Sequence, residues 1–222
     1  MDKHKIFVVL TTTIFLSILL TGCNPAVEID VLCSAGDLIQ AINAANANSN
    51  TTILNLDANC PYNFTNADNS DGGHGFNALP IITTTIIING NNATLRRTSA
   101  AIREFRFFLI TDTGELVLDE MTLVGGNSIE PGDDIEPGGG AIYNDGGSLT
   151  VNQVRFQNNH NQSNGGAIFN RGILIIDNGS HFQENHALNG GAIFNAEYQG
   201  IPITINNTIF TLGFAGIGGA IY

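Results

Sequence analysis

The sequence predicts an all-β protein, a parallel β-solenoid built on a repeat of about 25 residues. Three observations lead there. Gly139-Gly140-Ala141-Ile142-Tyr143-Asn144 recurs as Gly165-Gly166-Ala167-Ile168-Phe169-Asn170 and as Gly190-Gly191-Ala192-Ile193-Phe194-Asn195, and it begins again at Gly218-Gly219-Ala220-Ile221-Tyr222. A second marker, Phe156, Phe182 and Phe210, keeps step between these motifs. The composition agrees: charged residues are only 13%, Trp is absent and Gly numbers 26 of 222. Gly and Asn tolerate the positive φ that tight turns demand, so this balance suits short strands joined by many turns.

The repeat is one-dimensional in its logic. A unit of this length cannot bury its own apolar face, and stacking puts Phe156 over Phe182 so that both lose water. The alanines step by 26, 25 and 28 residues, which puts a three-residue insertion in the third unit, near Gln199-Gly200-Ile201-Pro202. Leu149 and Val151 flank Thr150, and Ile203 and Ile205 flank Thr204; this alternation reads as strands with one face inward. Leu116, Leu118, Met121 and Leu123 extend the frame upstream, matching Leu149, Val151, Val154 and Phe156. In the second unit Leu174 and Ile176 restore the alternation after a one-residue shift, so a bulge or longer turn is expected near Asn178-Gly179. Gly-Gly-Ala supplies a corner where backbones approach closely. Asn144, Asn170 and Asn195 can form one amide ladder, and Asn159 with Asn185 another. A β-propeller needs blades of roughly 40–50 residues, and a leucine-rich repeat needs a Leu signature missing here.

The N-terminus is set aside before the fold is considered. Lys3 and Lys5 precede an apolar run from Ile6 to Leu20, and Leu20-Thr21-Gly22-Cys23 follows. This is the pattern of a secretory signal, too short for a comfortable membrane span. It resembles the signal of bacterial lipoproteins, in which the Cys after such a motif receives the lipid. That resemblance implies a signal over residues 1–22, a lipid on Cys23 and a linker over 23–32; an ordinary signal with a chance Cys at its boundary is the alternative. Without residues 1–22, which remove Lys3, Lys5 and Asp2, six Arg face nineteen Asp and Glu, and the formal charge is −13. A body without Lys is a poor partner for nucleic acid, which needs a cationic surface. Cys33 and Cys60 then pair as one structural disulfide, favoured in an exported chain over two buried thiols.

Ser34-Ala35-Gly36-Asp37 reads as a capping box. Leu38, Ile39, Ile42 and Ala45 follow at helical spacing, predicting a helix to about Asn46 that covers the open end of the solenoid. Thr52–Leu56 is the first predicted strand. Ile81–Ile88 and Leu95 belong to the next units, and residues 66–78 and 129–138 read as long loops. A solenoid ends in a cap. Tyr222 falls inside a fourth motif, so residues 33–222 read as the capped beginning of an array, truncated at its C-terminal side.

The Gly-Gly-Ala-Ile motifs, the Phe156/Asn159 and Phe182/Asn185 pairs, and the stretch from Cys33 through Asp37-Leu38-Ile39-Gln40-Ala41-Ile42-Asn43 to Cys60 resemble right-handed parallel β-helix proteins. The repeats are similar to those of chlamydial polymorphic outer membrane proteins. The resemblance implies a single-stranded right-handed β-helix of pectin-lyase-like form with a short N-terminal capping helix. It also implies a surface module for display or adhesion, without cofactor, at the outer membrane or the outer face of the cell membrane. Its implied partners are the membrane, through the lipid, and a glycan or protein on a host or neighbouring cell. Phe210-Thr211-Leu212-Gly213 departs from the pattern by lacking the Asn.

The competing class is a carbohydrate-active enzyme, a polysaccharide lyase or hydrolase, since such enzymes share the fold; fold alone does not choose. An enzyme needs paired carboxylates, or Ca²⁺ with a basic residue. Glu130, Asp133, Asp134 and Glu136 form the densest acidic group and are a weak candidate for a hard cation, though a solvated loop is the favoured reading. Asp119-Glu120 reads as an exposed strand edge or turn. His160 and His186, each four residues after a Phe marker, read as stacked turn residues. Arg96-Arg97 and Arg103-Arg106 read as salt-bridge partners of the acidic body rather than an anion site. Tyr143, Phe169, Phe194 and Tyr222 would bind sugar rings if exposed; a buried stack is the favoured reading, and alternation places them on the side of Ala141, Ala167 and Ala192.

Overall fold

The computed structural model describes residues 25–70, 73–128, 138–196, 201 and 203–222. Its regular structure is all strand apart from one short helix, and the strands form extensive parallel sheets. The longest sheet runs, in order, through Val27–Val31, Thr52–Leu56, Thr85–Arg97, Glu115–Val124, Ser148–Asn152, Ile173–Asp177 and Ile203–Ile205, all parallel. Two smaller parallel sheets carry the remaining faces. One joins Phe108–Ile110, Ile142–Asn144, Ile168–Asn170 and Ile193–Asn195, and the other joins Asn127–Ser128, His160–Asn161, His186–Asn189 and Phe214–Ile217. From Ser148 onward the chain visits the long sheet, the His160 sheet and the Ile142 sheet in turn, then begins again.

Register explains the core. Ile86, Leu116, Leu149 and Leu174 form one column, and Leu54, Ile88, Leu118, Val151 and Ile176 the next. All are fully buried. From Thr52–Leu56 onward the chain bends after each strand of the long sheet and re-enters it, and beyond the bend Tyr62, Leu95, Leu123, Phe156, Phe182 and Phe210 fall in register. The bends hold residues at positive φ: Asn91 and Asn92, then Glu120, Gln153, Asn178 and Asn207. The extra residue of the unit containing Leu174 sits at such a bend, where Asn178 (φ 58°) and Gly179 (φ 82°) lie between the paired segments. A Cβ on Gly179 meets no atom within 4 Å. Gly179→Ala is therefore expected to cost only the left-handed strain of about 1–2 kcal/mol, read as a lower denaturation midpoint with an unchanged m-value.

The paired glycines divide their work. Gly165 has φ 64°, while Gly166 lies where a Cβ would overlap the backbone of Gly191 and His186. One glycine supplies the turn and the other lets three chain segments approach. The following carbonyl takes two successive amides: N–H groups of Ala141 and Ile142 both donate to Ala167 O, at 2.9 and 3.0 Å. This corner breaks strict alternation. Ala141, Ala167 and Ala192 join the main core beside Ile142, Ile168 and Ile193, whereas Tyr143 and Phe169 form a second buried cluster with Leu109. The expectation that the aromatics share a side with the alanines is thereby corrected.

The N-terminal end differs from expectation in one respect. Residues 23–32 were read as a linker, yet Val27–Val31 is a strand paired in register with Thr52–Leu56. Alternating Val27, Ile29 and Val31 supply its inward face. The helix spans Ala35–Asn46 and buries Leu38, Ala41, Ile42 and Ala45. The Ser34 hydroxyl accepts from the Asp37 amide, while the Ser34 amide donates to Leu32 O, so half of the capping box forms. Within the predicted loop 66–78, Asn69–Ser70 and Phe76–Asn77 pair antiparallel. The insertion near residues 199–202 and the 129–138 loop fall almost wholly outside the described residues.

Candidate functional site

The repeat stacks are largely buried, whereas the outer face of the long sheet is partly or fully exposed. Phe156, Phe182 and Phe210 stack with ring centroids 4.6 and 5.0 Å apart. The Asn144 amide donates to Asn170 Oδ1, and the Asn170 amide to Asn195 Oδ1, both at 2.7 Å. Buried amides without partners cost about 1–3 kcal/mol each, and here each carboxamide serves the next repeat. The first rung is incomplete: Ile110 precedes Asn144 in register, and Asn144 Oδ1 has no hydrogen-bond partner. In the second ladder, Asn159 Nδ2 donates to Asn185 Oδ1 at 3.0 Å, and the Gly126 amide donates to Asn159 Oδ1.

Cys33 and Cys60 form a disulfide with Cα atoms 5.6 Å apart. Cys23 and the acids Glu130, Asp133, Asp134 and Glu136 lie outside the described residues. Among the described residues no group of three His, Cys, Asp or Glu is placed to hold a metal ion. No described helix is long and apolar enough to cross a membrane.

The aromatic stripe stacks at 4.9, 5.2 and 5.0 Å from Tyr143 through Phe169 and Phe194 to Tyr222. Tyr143 is fully buried, with His74 against its ring and the guanidinium of Arg106 5.2 Å from its centroid. Burial first, then Asp145, push its hydroxyl well above the usual tyrosine range. Exposure grows along the stripe to 53% at Tyr222, so the early part is packing rather than a platform for sugar.

His160 and His186 are in register on neighbouring strands, and His160 Nδ1 lies 3.2 Å from Asn127 Oδ1. Partial burial, then the neighbouring His186, hold the His160 imidazole below its usual range, with Glu104 opposing. Because the unfolded chain then binds more protons, stability is lost as pH falls through the unfolded value near 6.5. The melting temperature should drop between pH 7 and 5, and His160→Gln should flatten that drop. Equal pH slopes in both proteins would contradict this role.

Arg96-Arg97 and Arg103-Arg106 are the expected salt-bridge partners of the acidic body, yet the arginine that lies beside a described carboxylate is Arg171, 3.4 Å from Asp145. Arg97 lies over Phe105 and donates to Arg103 O, while Arg103 lies 4.4 Å over Phe76. Arg106 is wholly buried and donates to Ser128 Oγ. Arg96 and Arg155 project from the outer face of the long sheet into an open groove of about 340 Å³ at its bend. Sequence reading missed this groove, since its residues come from three separate strands.

The model of the Chlamydia polymorphic membrane protein repeat matches residues 153–171. That segment runs from the bend at Gln153 through Phe156 and Asn159 to the corner at Gly165-Gly166 and the ladder residue Asn170. No curated protein matches the chain, and no solved structure matches it.

Proposed function

We propose that this chain is a cell-surface lipoprotein whose body is a display or adhesion module. The observation that carries the reading is the match of residues 153–171 to a polymorphic membrane protein repeat, a segment whose elements recur in register in the adjoining units. In this reading the three parallel sheets close into a single-stranded right-handed β-helix. Its interior is filled by Phe columns and Asn ladders, leaving the outer faces to meet a glycan or protein on another cell. The signal over residues 1–22 directs export, and Cys23 carries the acyl chains that hold the body at the membrane without crossing it. The location in this reading is the cell surface, at the outer membrane or the outer face of the cell membrane, in keeping with a repeat of polymorphic membrane proteins.

Metabolic labelling with a radioactive fatty acid tests the anchor, and protease treatment of intact cells tests the display. The reading expects label on the wild-type chain, none on Cys23→Ala, and digestion of the body without lysis. Label retained in Cys23→Ala, or a body protected until the cells are broken, would sink it.

A further inference from the structure

We infer that the groove at the bend of the long sheet is a binding site for an acidic polysaccharide, with Arg96 and Arg155 as its anion-recognising residues. The accounting of cations carries this. The described residues contain six arginines and no lysine. Four arginines are occupied: Arg97, Arg103 and Arg106 lie against aromatic rings, and Arg171 pairs with Asp145. The side chains of Arg96 and Arg155 have no hydrogen bond, ion pair or ring contact among the described residues, and both line the same groove. Two exposed guanidiniums kept free on a strongly acidic body are available to an outside anion, and their planar fork suits a carboxylate or sulfate.

Register sets their spacing. Arg96 pairs with Val124, and Val124 with Gln157, so Arg155 stands two strands across and two residues back. At ordinary strand spacing and rise their Cα atoms lie about 12 Å apart, a span longer than one sugar ring. The two would therefore grip separate units of one chain. Between them stand Thr94 and Thr122, in register, with Gln153 at the edge. Hydroxyls and amides of this kind exchange hydrogen bonds with sugar hydroxyls. Glu120 also lines the groove, and its carboxylate opposes an anion seated beside it. Nucleic acid is the less favoured anion, because two cations on an acidic body cannot neutralise a phosphate backbone and no aromatic side chain lines the groove for base stacking.

The inference deepens the surface-binding reading and rests on it only for access to ligand. A chain that is lipidated and displayed but binds no polysaccharide would overturn this inference alone. Calorimetry on the full chain in mild detergent, with hyaluronate, heparin and neutral dextran, provides the test. Hyaluronate or heparin should bind and dextran should not; preference for hyaluronate assigns carboxylate, and preference for heparin assigns sulfate. The double variant Arg96→Gln/Arg155→Gln should weaken binding at least tenfold at an unchanged melting temperature, and Glu120→Gln should strengthen it. Equal binding of dextran, no binding of either acidic polymer, undiminished affinity in the double variant, or equal competition by single-stranded DNA would overturn the site.

Discussion

Phe182→Ala is expected to destabilise the protein by about 3–5 kcal/mol, the range for removing a buried aromatic from a packed core. Phe182 is 1% exposed and lies between two parallel rings, Phe156 and Phe210. Its neighbours along the stack are held by strand register, which limits their collapse into the space. The loss should also be local. In a stack where each repeat contacts only its neighbours, stability is a sum of units and interfaces. Residues 173–217 should therefore lose hydrogen-exchange protection first, and the melting curve should gain an early step while the Leu54 to Leu118 region melts as before. A single unshifted transition would show that the stack does not carry the core.

The second large effect concerns the other end. Replacing both Cys33 and Cys60 with alanine removes a crosslink of sequence separation 27. Chain-entropy reasoning gives about 3.5 kcal/mol for a loop of that length. The bridge ties the turn before the helix to the turn after Thr52–Leu56, and the Cys33 amide also donates to the Asp57 carboxylate. Loss of the bridge should free the helix Ala35–Asn46 and expose Leu38 and Ile42, which cover the end of the core. Circular dichroism at the helix wavelength and dye binding to exposed apolar surface would read this. Unaltered melting in the double variant would mean that packing alone holds the cap.

Much of the architecture was legible in the sequence because a stack repeats its constraints. Each Gly-Gly-Ala-Ile has to solve the same corner, and each Phe the same column, so identical residues return at nearly equal spacing. Asn144, Asn170 and Asn195 could be read as a ladder for the same reason. The remainder was hidden where a constraint occurs once. Val27–Val31 is a short run that follows soon after the apolar stretch of residues 6–20, and only its pairing with Thr52–Leu56 marks it as a strand. Alternation failed at Ala141 because one carbonyl there serves two amides, which no spacing reveals. Arg106 carries a charge and is fully buried. The groove was hidden most deeply: Arg96 and Arg155 are 59 positions apart in the sequence and meet only through the register of the strand between them.

That register is the foundation of the proposed display module and of the groove. Thr150 and Ile175 are partners on adjoining strands, on the outward side of the long sheet. Parallel partners at about 4.8 Å lie within reach of a disulfide, whereas a displaced residue does not. Mild oxidation of Thr150→Cys/Ile175→Cys should give near-complete intramolecular crosslinking in the folded chain, and Thr150→Cys/Ile173→Cys should give little. Equal crosslinking in both variants, or faster crosslinking in the displaced pair, would contradict the stacked repeat on which the proposed function stands.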